Sequence, residues 1–326
     1  MHLSLDWKVL FVSIGITGRL LAQSAIDTVG IEDFRNQWVV YADIGYNTAP
    51  FNISYPFSGD LDNIEYRNNF RTILGIGAAY KWFAVRVGIP ILKHYRPTDM
   101  YSKTDQFNIA LDYSYKSFYA DGQLNICRGY AALNAKQWNQ NSSAENELFP
   151  SALSYNLSIG AWYFRNKNFK INALLGKRAH CLKEGKTWYL RSNVSFFGLN
   201  NAGNPIFPIS LINSQEIQTS ASKLEAYDLG LTPGYAYGTR LKNWQVSGWA
   251  GVGAVVQVKE YSTGQAESLS LGLAPRFDIR LMGGYSVPQW FIFLITDFDN
   301  KSMRFDDLDF RQYFYGIKLV MGKRFG

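Results

Sequence analysis

From about residue 35 onward, apolar and polar positions alternate with a period of two, the signature of strands that bury one face. In QYFYGIKLVMGKRFG, residues 312–326, one register reads Tyr313, Tyr315, Ile317, Leu319, Met321, Lys323, Phe325. The other reads Gln312, Phe314, Gly316, Lys318, Val320, Gly322, Arg324. Segments 105–116, 153–163 and 269–281 repeat this division between a bulky apolar face and a face of Ser, Asn, Gly, Ala and charges. Segments 37–46, 69–80, 82–90, 118–128, 168–178, 187–198, 224–240 and 243–258 follow it more loosely, and 286–298 is apolar on both faces.

Strand length separates two kinds of β-protein. Soluble sandwiches use strands of about five or six residues, whereas many segments here run to about 11–14, enough to cross a bilayer at a tilt. From Tyr313 to Phe325 an extended chain covers about 40 Å, or about 30 Å in height when tilted by about 40°. In lipid only a closed sheet leaves no unsatisfied backbone edge. The pattern therefore predicts an all-β fold, a transmembrane antiparallel up-and-down β-barrel with bulky residues toward lipid. Counting a weak, proline-bounded segment at 205–212 gives about 14 strands, and 12 is the alternative. Short connections at 80–81, 116–117, 165–168, 241–243 and 283–285 alternate with longer polar ones, which predicts one domain without repeats.

Composition narrows the class. Aromatics make up 16% and charged residues 18% of the 326, and no stretch beyond the first 25 is apolar enough for a membrane helix. The net charge of +7 is spread without a basic run, which points to anionic lipid headgroups and away from nucleic acid. Cys127 and Cys181 stand far apart, in no disulfide or metal pattern. Residues 1–23 read as a signal peptide, with Lys8 before the apolar run Val9–Ile16 and a cleavage region at Leu20–Gln23. Residues 24–36 would be a periplasmic lead-in and 37–326 the barrel. Partners expected for such a chain are outer-membrane lipid, lipopolysaccharide and the barrel-assembly machinery.

Several stretches occur in an order that resembles one family of Bacteroidota outer-membrane barrels, domain of unknown function 4421. They are IEDFRNQWVVYADIGYNTAPFNI, ILGIGAAYKWFAVRVGIPI (73–91), FNIALDYSYKSFYADGQL (107–124), YFRNKNFKINALLGKRA (163–179), LTPGYAYG (231–238) and the closing YGIKLVMGKRFG. The resemblance implies a fold and an outer-membrane location, and no reaction. His180-Cys181-Leu182 departs from the polar, lysine-rich turn expected there.

Chemistry-bearing motifs are few. His94 and His180 have no nucleophile motif beside them, so no catalytic residues are assigned and the protein is expected not to be an enzyme. Gly75-Ile76-Gly77 and Gly251-Val252-Gly253 open no helix and read as wall glycines. Asp306-Asp307-Leu308-Asp309 lacks calcium-loop spacing and reads as a solvated loop, so neither a metal nor a cofactor is expected. The lead worth following is the inward register: Asp112, Lys116, Arg276, Asp278, Arg280 and Lys318 as lumen-lining candidates. Opposite charges there either pair and plug the lumen or line a narrow passage for small anionic solutes, with Asp278 neutralising one neighbouring arginine but hardly both. The expected role is structural or that of such a passage. The alternatives are a lipid- or lipopolysaccharide-modifying enzyme and a docking partner of a cell-surface machine.

Overall fold

The sheet is built by strands that keep one apolar face along their whole length. The computed structural model describes residues 30–57, 61–115, 118–166, 169–213, 215–264 and 266–326. The segment read as a signal peptide, residues 24–29 of the lead-in, and Lys116 lie outside the described residues. The strands in chain order begin with β1 (Ile31–Asp33), β2 (Trp38–Thr48), β3 (Phe51–Ser54), β4 (Asn63–Asn68), β5 (Ile73–Tyr80) and β6 (Phe83–Pro90). They continue with β7 (Asp105–Tyr115), β8 (Phe118–Ala132), β9 (Glu147–Phe164), β10 (Ala179–Cys181) and β11 (Gly185–Asn200). The last are β12 (Lys223–Leu241), β13 (Trp244–Ser262), β14 (Glu267–Ser286), β15 (Trp290–Phe305) and β16 (Leu308–Phe325).

Fourteen of these share one antiparallel sheet. Leaving out β3 and β4, its strands pair with their successors in the chain, and β16 returns to β2 from Tyr315↔Thr48 to Phe325↔Trp38. That closure makes a ring of twelve. The remaining two strands form a hairpin above it: β3 pairs with the start of β16 (Gln312↔Phe51) and β4 with the end of β8 (Tyr66↔Ala132). The hairpin thus stands over the short wall of β2, β5, β6 and β7, and a narrower storey rises on the long-loop side.

Outside, the barrel carries an apolar belt. Trp188 packs on Tyr235 near the end that holds both described termini, and Phe196 stacks on Tyr227 near the other. Between them Leu190, Val194, Leu229 and Leu231 are exposed. The eight steps from Trp188 to Phe196 span about 26 Å of strand, about 20 Å in height at a tilt of about 40°. In β16 the outward register carries Tyr315, Leu319, Met321 and Phe325, all exposed, while Val320, Gly322 and Arg324 are buried inside.

Three local readings are corrected. In 168–178 the described residues form no strand but a short helix, α1 (Ile171–Leu175), whose Ile171, Leu174 and Leu175 share one face and which ends at Gly176 with φ +69°. The connection after β9 is therefore long and folds into the lumen. In 205–212 the two prolines prevent a ladder, and Ile209–Leu211 is a 3-10 turn instead. The stretch between the segments 37–46 and 69–80, one of the longer polar connections, contains the β3–β4 hairpin. The segment apolar on both faces has a simple cause: Phe291, Phe293 and Ile295 of β15 pack inward with Val39, Tyr41, Met282 and Val320.

Candidate functional site

The lumen has three layers, set by what the inward register carries at each height. At the termini end, the segment after β9 plugs it. Phe169, Ile171 and Leu174 pack among Trp162, Phe164, Tyr189 and Trp249. Wall side chains satisfy the plug's carbonyls: Gln245 donates to Ala173 O (2.7 Å), Ser247 to Leu174 O (2.8 Å) and Arg324 to Gly176 O (2.6 Å) and Lys177 O (2.8 Å). β1 pairs with β10, so part of the lead-in is tied to the plug. At the opposite end an aromatic cluster fills the upper storey. Phe51 stacks on Tyr66 at 4.5 Å and packs edge-on to Tyr130, and Ile206 and Phe207 descend into it from the 201–222 loop.

Between these closures lies a charged layer. Asp43 of β2 receives both Nε and Nη2 of Arg86 of β6, each at 2.6 Å, across the intervening β5. The glycine at that crossing is Gly75, where a Cβ would fall 2.3 Å from the Asp43 carboxylate and 2.5 Å from Arg86. The same device recurs at Gly160 of β9, over which Arg191 of β11 reaches Asp121 of β8 at 2.7 Å. These crossings need a bare backbone, which is the use of glycine here.

The six lumen candidates fall as follows. Asp278 accepts from Arg191 (3.2 Å) and from the Trp249 indole (3.2 Å), and pairs with neither Arg276 nor Arg280. Arg276 is paired instead with Asp228, and Arg280 with Asp297, which Lys318 also reaches at 2.7 Å. The expectation that Asp278 would serve one of its two neighbouring arginines is thereby corrected: each guanidinium has its own carboxylate on another strand. Asp112 is joined to Arg178 of the plug. Lys116 lies outside the described residues. Sequence reading passed over Asp43, Arg86, Asp121, Arg191, Asp228 and Asp297. Arg86 between Val85 and Val87, and Asp228 between Tyr227 and Leu229, are charges in the register opposite bulky neighbours, and that signal was available; Asp121 between Ala120 and Gly122 carried no such signal.

Two small cavities, about 130 and 90 Å³, remain in this layer and share Arg86, Arg191, Asp278, Arg280 and Lys318 among their lining. Lys177 of the plug also lines the smaller one, 4.0 Å above the Tyr41 ring, and among the described residues no carboxylate is within 4 Å of it. Burial pushes its ammonium down to about 8, against the pull of Asp112. His94 Nε2 accepts from Thr104 N–H at 2.9 Å, and buried His180 meets Glu32 at 2.5 Å. Asp306 and Asp307 make a two-residue turn, and Asp309 pairs with Arg311 at 2.5 Å. Among the described residues no group of three or more potential metal ligands occurs.

A closed antiparallel ring, an outward apolar belt with aromatics at both rims and a polar, filled interior define a transmembrane β-barrel. The chain belongs to the family described as domain of unknown function (DUF4421), whose model matches residues 25–325. No curated protein matches it. Among solved structures it is similar to the COG4313 outer membrane channel from Pseudomonas putida F1, at 7% identity and a TM-score of 0.39, covering 93% of this chain and 100% of that one. The toluene transporter TodX of Pseudomonas putida gives 6% identity and a TM-score of 0.29, covering 87% and 89%. OmpT of Vibrio cholerae gives 6% and 0.30, covering 87% and 98%.

Proposed function

We propose that the protein is a non-enzymatic outer-membrane barrel with a structural role, sealed at rest and holding its upper storey outside the cell. The reading rests on one observation: the lumen is blocked by a peptide plug below and an aromatic cluster above, with wall charges between them compensated pair by pair. In this orientation the plug and termini face the periplasm, the usual arrangement for such barrels. Outer-membrane lipid and lipopolysaccharide surround the belt, and the barrel-assembly machinery inserts it. Conductance of the purified protein in planar bilayers tests the role: no steps are expected from the wild type, and steady selective opening overturns it.

The second reading, a narrow passage for small anionic solutes, draws support from Lys177 of the smaller cavity, which has no carboxylate within 4 Å among the described residues. It requires the plug to leave. Deleting residues 169–182 should then open an anion-preferring conductance, and an open but unselective pore would reject it.

A further inference from the structure

The ladder between β14 and β15 is incomplete. β14 pairs with β13 from Trp244↔Tyr285 to Ser262↔Glu267, yet its pairing with β15 stops at Asp278↔Asp299. Above that point β15 continues against β16 alone, as far as Phe305↔Leu308. Asn300 stands in the fork. Its side chain is in the outward register but only 6% exposed, because Oδ1 accepts from Phe277 N–H (2.7 Å) and Nδ2 donates to Pro275 O (3.3 Å). It occupies the place of the β15 backbone amide that a continued ladder would supply.

Higher up, side chains of β13 reach past β14 to β15. Gln257 donates to Ser302 O at 2.8 Å and Lys259 to Arg304 O. Lys259 runs over Gly272, where a Cβ would lie 2.8 Å from Nζ. The bonds of Phe277 and Pro275 show that odd-numbered residues of β14 turn their backbone groups toward the fork. Leu269, Leu271 and Leu273 therefore present unpaired N–H and C=O groups there, and their side chains are 70, 76 and 77% exposed. The nearby Ser270 hydroxyl is buried without a partner.

We propose that the Leu269–Pro275 edge is a docking site for an extended segment of another protein, which adds to the sheet as a strand beside β14. Main chain in extended form is what matches alternating donors and acceptors at strand spacing, and the exposed leucines offer apolar contacts to alternate side chains. An acyl chain can cover leucines but cannot satisfy the backbone groups. The fork is poised for exchange, since an incoming strand replaces the side-chain bond of Asn300 with main-chain bonds.

A labelled peptide AVVQVKEYS, copying residues 254–262, is the probe, because that sequence already pairs with the opposite edge of the same stretch, Ala254↔Pro275 to Ser262↔Glu267. Fluorescence anisotropy with the folded, detergent-solubilised full chain should show saturable binding. N-methylation at alternate peptide residues should weaken it by at least about tenfold, through loss of several main-chain bonds. Leu271→Pro removes a fork-facing N–H without touching the β13 ladder and should abolish binding while the gel shift between boiled and unboiled protein persists. Leu271→Ser keeps the donor and should bind within about fivefold of wild type. Absence of wild-type binding overturns the proposal. So does binding that survives Leu271→Pro or N-methylation, or that is lost only in Leu271→Ser, which marks an apolar surface for lipid or a second copy.

Discussion

Arg276 lies 5.3 Å above the ring of Phe197, yet the two belong to differently built interiors. Arg276 is in the charged layer, where its partner is Asp228 on a strand two positions away. Phe197 is in the upper cluster, where neighbours touch by shape, as Phe51 does on Tyr66 and Phe310. Charges within the wall gain order from specific partners and contribute little net stability, because desolvation offsets attraction. The aromatic storey gains stability from buried area, as a water-soluble core does. The barrel therefore places charge-pair specificity in the middle layer and hydrophobic stability in the closures on either side of it.

Paired truncations separate the two layers. Asp228→Ala leaves Arg276 buried and uncompensated and should cost about 3–5 kcal/mol in urea unfolding followed by tryptophan fluorescence. Adding Arg276→Met should recover most of that loss. Phe51→Ala should cost a similar amount, about 3–5 kcal/mol, but adding Tyr66→Ala should deepen the loss. Recovery in both layers, or in neither, removes the distinction.

A smaller effect compares the wall's two faces. Leu111 is exposed in the belt, and Leu111→Arg should cost about 2–4 kcal/mol and reduce the heat-modifiable form on gels. Ser114 faces inward and accepts a hydrogen bond from Asn172 of the plug at 2.8 Å. Ser114→Arg should spare assembly but raise protease cleavage within 169–184. Equal loss of the folded form in both variants contradicts this assignment of faces.

The smallest effect concerns Lys177. Its folded pKa, about 8, lies below the ordinary lysine value of 10.5, so folding favours the neutral amine. The destabilisation is fully present below pH 8 and is relieved as pH rises from 8 toward 10.5. Lys177→Met should raise stability at pH 7 by about 1 kcal/mol. It should also flatten the rise that the wild type shows across this window. An unchanged pH profile assigns the rise to another group.

Register was the legible part of the fold. Period-two alternation identified the faces of β16 before any partner was known, and single charges such as Arg276 and Arg280 lay in the inward register. Pairing was not legible, because which carboxylate meets which guanidinium depends on the stagger of distant strands. Asp228 precedes Arg276 by 48 residues and sits two strands away. The INALL helix was hidden for another reason: five residues are too few for a helical period to stand out against strand alternation. The β3–β4 hairpin, four and six residues long, was too short to read as a crossing.

The double partnership of β16 has a consequence for assembly. One strand zips to β2 at membrane height and to β3 above it, joining residues more than 250 positions apart in both places. Until it docks, neither the ring nor the upper storey is closed, and the aromatic side chains of β3 and β4 lack the Phe310 wall. In the orientation proposed above, the loops on that side lie across the membrane from both described termini, and the storey stays open until β16 docks. Such late, non-local closure is slow. The hairpin's place in the upper storey thus depends on the last strand of the chain.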